Sequence, residues 1–296
     1  MAEQGGPSSW DAVLLEDLPA AEAWVGASLE HPRVHLRLHN VLVDAFAGME
    51  ARGSVLRRLA WRFEQRRIAT WEGDLVARFG PSLTTLSPAD ADRVASLYGA
   101  SSGVLPLAVP VDRYRDLGKG DPDTLVHVGT ADERKGAGLA DFVQRVWPEV
   151  RRRRPAASLL LGGRGTERFD DPVAGVSGLG FVPDDRVVLA RGGIFVNPQK
   201  VGSGVKLKSL VALAAGRCLL SYAEGVRGVG GTHDADYSVA TSVDDMIARA
   251  VELMERPAEA NRIASLGLKL VSEQFSAQRV RRALPDVLRP DASVDP

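Results

Sequence analysis

Two short runs in the second half of the chain, Leu159-Leu160-Leu161 and Gly193-Ile194-Phe195-Val196, are apolar at consecutive positions. A strand with one wet face alternates polar and apolar residues. A strand apolar on both sides is covered by helices on both faces, which is the condition of a parallel sheet. Strands are expected at Leu125–Val128, Ser158–Leu161, Ile194–Val196 and Cys218–Ser221, with helices opening near Gly138, Asp184, Ser203, Val243 and Ala258. Such alternation argues for an α/β layer. A similar series precedes it: an apolar run at Ala12–Leu15, a helix from Pro19 to Leu29, a strand at Arg33–His39, a largely helical stretch from Leu42 to Phe79, and strands at Leu83–Leu86 and Val104–Val109. Between the last two, Ser87-Pro88-Ala89-Asp90 opens a helix with a cap, an N1 proline and an acid three residues on.

Two α/β domains in tandem suit a chain of 296 residues, at ~100–200 residues per domain. The expected division is a loose N-terminus over 1–9, a first domain over 10–112, a charged, Gly- and Pro-rich linker over 113–123, a second domain over 124–274, and a last amphipathic helix with its tail over 275–296. Lys and Arg number 37 against 38 Asp and Glu, so no global basic field points to nucleic acid. The single cysteine, Cys218, excludes a disulfide framework and a thiolate metal cluster, and reads as a small buried side chain. His31, His35, His127 and His233 show no metal-ligand spacing, and Asp121-Pro122-Asp123 reads as turn chemistry, so no metal is expected. No leader opens the chain and no apolar run approaches the ~20 residues of a membrane span, which sets a cytoplasmic expectation.

Arg33–His39 is unlike a covered strand, because Val34, Leu36 and Leu38 alternate strictly with His35, Arg37 and His39. Either one face is wet, or those polar groups point into a cleft or at a partner. Arg52, Arg57, Arg58, Arg62, Arg66 and Arg67 stud the long helix before Phe79. A basic amphipathic helix of this kind suits an anionic membrane. Interspersed Glu50, Glu64 and Glu72, with Trp61 and Phe63 assigned to packing, favour a solvated face instead. Arg151–Arg154, ahead of Pro155, complements a helix C-terminus.

Chemistry concentrates in Gly202-Ser-Gly-Val-Lys-Leu-Lys-Ser-Leu-Val-Ala-Leu-Ala-Ala-Gly216, which follows a strand ending at Asn197-Pro198. Glycines admit a ligand close to backbone N–H groups, and a helix N-terminus favours an anion. Lys206 and Lys208 oppose the helix dipole, and no acid within the segment offsets them. A bound phosphate would relieve both conflicts; the plain alternative is a helix capped by Ser203 whose lysines are hydrated. Val128-Gly-Thr-Ala-Asp-Glu-Arg-Lys-Gly136 follows the first strand of the second domain, where Lys135 would reach the same anion. Its alternative is a loop in which Arg134 and Lys135 pair with Asp132 and Glu133. His39-Asn40 stands at a strand's carboxyl end, where Asn40 can also serve as a helix cap.

Taken in order, these segments resemble the group 1 glycosyltransferases of GT-B architecture, which are built from two Rossmann-like domains. The family's V-G-R-x4-K-G loop is matched by Val128–Gly136, and its E-A-(L/M)-A-x-G by Val211–Gly216. Ser221–Gly228 is similar to its next loop, and Arg37–Asn40, Leu86–Asp90 and Leu105–Asp112 to pieces of its first domain. The resemblance implies an α/β fold of two Rossmann-like domains, a nucleotide-diphosphate sugar as co-substrate, retention of configuration, and no further cofactor. It places Lys135, Ser203, Gly204, Lys206, Lys208 and Asn40 at the donor and makes His39 the catalytic contact with the sugar. Departures accompany it. The family's diphosphate Arg falls at Thr130, and its Glu-x7-Glu pair at Ser203 and Val211. The first strand–helix–strand unit has no counterpart, so an incomplete N-terminal domain is expected, with an exposed sheet available to a homo- or hetero-oligomer. The alternative function is therefore a non-catalytic GT-B-like subunit of another glycosyltransferase.

Overall fold

A computed structural model describes residues 10–47, 55–131 and 136–287. Lys135 and Arg52 lie outside them. The described chain forms two compact units. The first holds the chain up to Leu107, Val201–Val205 and the residues from Gln278 on; the second holds Ala108–Lys200 and Lys206–Ala277. The break thus falls ahead of the 113–123 stretch, and the last helix groups with the first unit.

The first unit runs β1 (Val13–Glu16), α1 (Leu18–Gly26), β2 (Val34–Leu38), α2 (Leu42–Ala47), α3 (Val55–Phe79), β3 (Leu83–Thr85), α4 (Pro88–Tyr98) and β4 (Gly103–Val104). Its four strands are parallel and lie in the order β1-β2-β3-β4. Right-handed crossovers that advance always in one direction must put their helices on one side of the sheet. Accordingly Leu18 and Ala21 of α1, Leu75, Val76 and Phe79 of α3 and Val94 of α4 share one core with Val13, Leu15, Leu36, Leu38 and Leu83. This explains the alternation in β2. Its apolar set faces that core, while Arg37 on the opposite face pairs with Glu16 at 3.1 Å. His35, on the same face as Arg37, is nonetheless buried.

Several local expectations are corrected. The strand expected over Val104–Val109 is paired only at Gly103–Val104, and Val109 makes an isolated bridge to Ser276. Glu72 is not solvated: it is fully buried and accepts the N–H groups of Leu42 and Val43 at 2.9 and 3.2 Å and the Tyr98 hydroxyl at 2.7 Å. It therefore caps α2, the task the sequence offered to Asn40. Phe63, assigned to packing, is 63% exposed. Ser87 does cap α4, accepting from the Asp90 N–H at 3.2 Å.

The second unit contains β5 (Asp121–Val128), α5 (Ala137–Asp141), α6 (Trp147–Arg153), β6 (Ser158–Gly162), β7 (Val176–Gly178), α7 (Arg186–Leu189), β8 (Gly192–Asn197), α8 (Leu207–Ala214), β9 (Cys218–Tyr222), β10 (Ser238–Ala240), α9 (Val243–Glu255) and α10 (Pro257–Gln274); α11 (Ala277–Val287) closes the described chain. Six parallel strands lie in the order β10-β9-β8-β5-β6-β7. Both faces are buried, as the apolar runs require. Leu125, Ile194 and Cys218 face one core with α9 and α10, whereas their neighbours Val126, Phe195 and Leu219 are also fully buried on the other side. Asp121-Pro122-Asp123 belongs to β5 rather than to a turn. Asp121 holds the Asp123 N–H and the Thr124 hydroxyl, and the proline falls where the β5–β8 register slips.

Candidate functional site

In the six-stranded sheet β5 lies between β6 and β8. The chain proceeds from β5 through β6 to one edge, then returns to build β8, β9 and β10 on the other side. That reversal makes the carboxyl ends of β5 and β8 the switch point, the place where an open parallel sheet receives a ligand. The groups gathered there come from the loop after β5, the loop after β6, the first turn of α8 and the loop after β9.

Gly129 follows β5, and a Cβ built on it would stand 3.1 Å from both the Lys208 Nζ and the His127 Nε2. Both nitrogens therefore lie against the backbone at the carboxyl end of β5, within twice that distance of each other. His127 Nδ1 meets the Val196 carbonyl at 2.8 Å. A carbonyl can only accept, so Nδ1 carries the proton and Nε2 keeps its lone pair. The ring stacks on Phe195, with centroids 5.6 Å apart. Burial, and after it the Lys208 charge, push the His127 pKa down to about 3. The imidazole is thus a neutral acceptor beside an ammonium. Gly163, after β6, has φ +129° and packs its Cα onto the Gly129 carbonyl, a contact that no side chain at 163 would permit.

Lys206 has a different setting. Helix α8 opens at Leu207, not at Ser203, and Lys206 is its N-cap without giving a side-chain acceptor to the first turn. The Lys206 side chain is 5% exposed, and its ammonium lies 2.7 Å from Glu224 in the loop after β9. Its charge is met within the protein. Asn197, at the end of β8, donates to the Ser209 hydroxyl at 2.9 Å and to the Gly225 carbonyl at 3.2 Å. Ser209 donates to the same carbonyl at 2.6 Å, and Ser221 to the Asn197 carbonyl at 2.8 Å. These bonds fix the first turn of α8 to the ends of β8 and β9, so Lys208 is presented from a rigid frame.

His39, Asn40, Ser203 and Gly204 come together in the first unit. The Ser203 hydroxyl donates to Asn40 Oδ1 at 3.4 Å. Gly204 has φ +63°, and a Cβ there would strike Asn40 Oδ1 and stand 2.7 Å from the His39 carbonyl. Only glycine allows this approach. His39 Nε2 lies 2.6 Å from Glu16, and its backbone N–H donates to Asp17 Oδ1 at 3.3 Å. Asp17 is itself held at φ 72°, a conformation that costs a non-glycine residue about 1–3 kcal/mol and collects at functional sites. Lys135 falls outside the described residues.

The sequence offered signals for groups that it did not lead us to. A polar His127 inside the otherwise apolar Leu125–Val128 run marks a residue with a task. Glu224 follows β9 as Lys206 follows β8, and adjacent parallel strands bring such ends together. Among the described residues no group of three or more His, Cys, Asp or Glu is placed to hold a metal ion.

Comparison with known proteins bears on the same regions. Residues 122–256 match the family described as Glycosyl transferases group 1. No curated protein matches the chain. The fold is similar to that of TarM from S. aureus, with a TM-score of 0.72 at 11% identity over 94% of this chain and 55% of TarM. HepE of Anabaena, in complex with UDP, aligns with a TM-score of 0.69 at 14% identity over 93% of this chain and 78% of its own. Sucrose-phosphate synthase from Thermosynechococcus elongatus gives 0.69 at 12% identity over 94% and 73%. The chain thus spans about half the length of TarM and roughly three quarters of the other two.

Proposed function

We propose, for a chain whose residues 122–256 carry the group 1 glycosyltransferase domain and whose whole has the GT-B fold, transfer of a glycosyl group from a nucleoside-diphosphate sugar to an acceptor. One observation carries this reading: the Lys208 ammonium stands against Gly129 at the switch point of the second sheet. The diphosphate lies there, against Lys208 and the first turn of α8. HepE in complex with UDP and with UDP-glucose supports that donor class.

As the bond from the anomeric carbon to the diphosphate breaks, negative charge accumulates on the departing oxygens. A preorganised cation and helix N-terminus stabilise that charge more than they stabilise the intact donor. His127 beside Lys208 adds no counter-charge, because its imidazole is held neutral by burial. Lys135 supplies a second cation from the loop after β5. Lys206 works through Glu224, fixing the start of α8. The resemblance assigns contact with the sugar to His39, Asn40, Ser203 and Gly204, and Glu16 accepts from the His39 Nε2–H. Configuration is retained, as in the family the chain resembles. The lysines carry the diphosphate charge without a metal ion, and the reaction belongs to the cytoplasm, where nucleotide sugars are made.

The test is thermal-shift titration with UDP, GDP, ADP, CDP and TDP, followed by the same titration of Lys208→Ala. One diphosphate should raise the melting temperature at saturation, a few kcal/mol of apparent stabilisation at ~100–1,000 Kd. Lys208→Ala should weaken it at least about tenfold, as loss of a charge-assisted contact does, with the ligand-free melting temperature unchanged. A wild-type protein indifferent to all five would end this reading. A second reading rests on Val211 and Ser203, which stand where the resemblance implies carboxylates: a GT-B-like subunit that assists another glycosyltransferase, meeting it through the first sheet. Copurification with such an enzyme, and neither donor hydrolysis nor transfer by the isolated protein, would select it.

A further inference from the structure

The first half of α3 presents to solvent a surface that a hydrated helix face does not require. Arg58, Leu59, Arg62, Phe63, Arg66 and Arg67 are all exposed. Leu59 is 56% and Phe63 63% exposed, one turn apart on the same side. At 3.6 residues per turn, these two lie near the centre of the exposed arc. Arg58, Arg62 and Arg66 border it on one side and Arg67 on the other. The only acid between Val55 and Trp71 is Glu64, and it pairs with Arg67 at 3.0 Å.

A face built for water intersperses charges of both signs. This one has an apolar centre and cationic margins. We propose that this arc of α3 seats the protein on an anionic lipid surface, with Leu59 and Phe63 entering the boundary between headgroups and acyl chains and Arg58, Arg62 and Arg66 engaging lipid phosphates along one side. Arginine stems are long enough to lie along the apolar centre while their guanidinium groups reach outward. A second copy of the chain is the poorer occupant. A two-fold contact through this arc would set arginine against arginine. Nucleic acid would have no use for the exposed leucine and phenylalanine. No described helix is long and apolar enough to cross a membrane, so this helix would lie in the plane of the interface. The inference concerns the first unit alone and stands whether or not the chain transfers sugars.

Cosedimentation of the full chain with vesicles tests it, using phosphatidylcholine alone and an equal mixture with phosphatidylglycerol. The wild type should partition into the mixed vesicles at least about tenfold more strongly, and lose that preference in 1 M salt, where the screening length falls to about 3 Å. Leu59→Ser with Phe63→Ser should lower partitioning about tenfold, and Arg58→Gln with Arg66→Gln should lower it and flatten the salt dependence. Melting curves of both variants check that each is folded, as expected for substitutions at exposed sites. A wild type without preference for the mixed vesicles would overturn the proposal, as would unchanged partitioning of the serine pair. Sedimentation velocity supplies the remaining outcome: a wild-type dimer that the serine pair dissolves would give the arc to a second copy.

Discussion

Lys206 and Lys208 stand two residues apart and read alike in the sequence, yet their surroundings differ. Lys206 is buried against Glu224, whereas Lys208 reaches the end of β5 beside a neutral imidazole. Nothing in a linear pattern separates them, because the difference arises from which strand ends the sheet order makes adjacent. The Gly-rich loop, the lysines and His39-Asn40 were legible as types of chemistry. Their neighbours Glu224, His127 and Glu16 were not, since each comes from another strand or from the loop that follows one. His127 also sets a pH dependence. Its pKa falls on folding from 6.5 to about 3, so the unfolded chain binds the extra proton. The stability tied to His127 is complete above pH 6.5 and declines as pH falls toward 3. In denaturant titrations across that window, His127→Gln should show a flatter acid limb than the wild type. Parallel limbs would mean that the imidazole is not held neutral.

At the scale of elements, the sequence revealed every strand long enough to show a pattern. It missed β7 and β10, each of three residues with one large apolar side chain, Val176 and Val239, whereas the equally short β3 showed because Leu83 and Leu86 bracket its two threonines. It read Asp121-Pro122 as linker because proline and acids usually end a strand; here the proline falls within a slip of the β5–β8 register, a place where a strand tolerates it. The start of α2 shows the reverse error. Its first N–H groups are satisfied by Glu72, thirty residues from Leu42 in sequence, where only a neighbouring cap could have been foreseen. Burial raises the Glu72 pKa above its ordinary 4.5 against the bonds from Leu42, Tyr98 and Val43. A raised carboxyl contributes stability below its unfolded pKa and loses it as pH rises through the folded value. Relative to Glu72→Gln, the wild type should therefore lose melting temperature as pH climbs above 4.5. Glu72→Ala should cost about 2 kcal/mol below pH 4.5, by stranding the donors it accepts, and less as pH rises. Equal pH profiles for wild type and Glu72→Gln would refute the burial argument.

For the whole molecule, the tandem of two α/β units was readable from the alternation of elements, and the GT-B likeness covers 94% of the chain. The way the units share the chain was not readable, because the boundary is set by packing and not by composition. Their sheets also differ in construction. The second is buried on both faces across β5, β8 and β9, while the first has its helices on one face and ends in a two-residue β4. Amides of β5 and β8 should accordingly exchange with solvent at least about tenfold more slowly than those of β1 and β3, as central strands of a doubly covered sheet open only with global unfolding. Hydrogen exchange followed by mass spectrometry reads this directly, and equal protection would show one cooperative unit.

The backbone passes between the two units at 107/108, 200/201, 205/206 and 277/278. A protease that nicks at 107/108 therefore divides the first unit itself: residues 1–107 form one fragment, while Val201–Val205 and the residues from Gln278 on stay covalently with the second. By the same token, a recombination event that exchanged residues 108–277 as one block of gene would carry off the Val201–Val205 loop that belongs to the other unit. Swapping such halves between relatives requires several junctions at once.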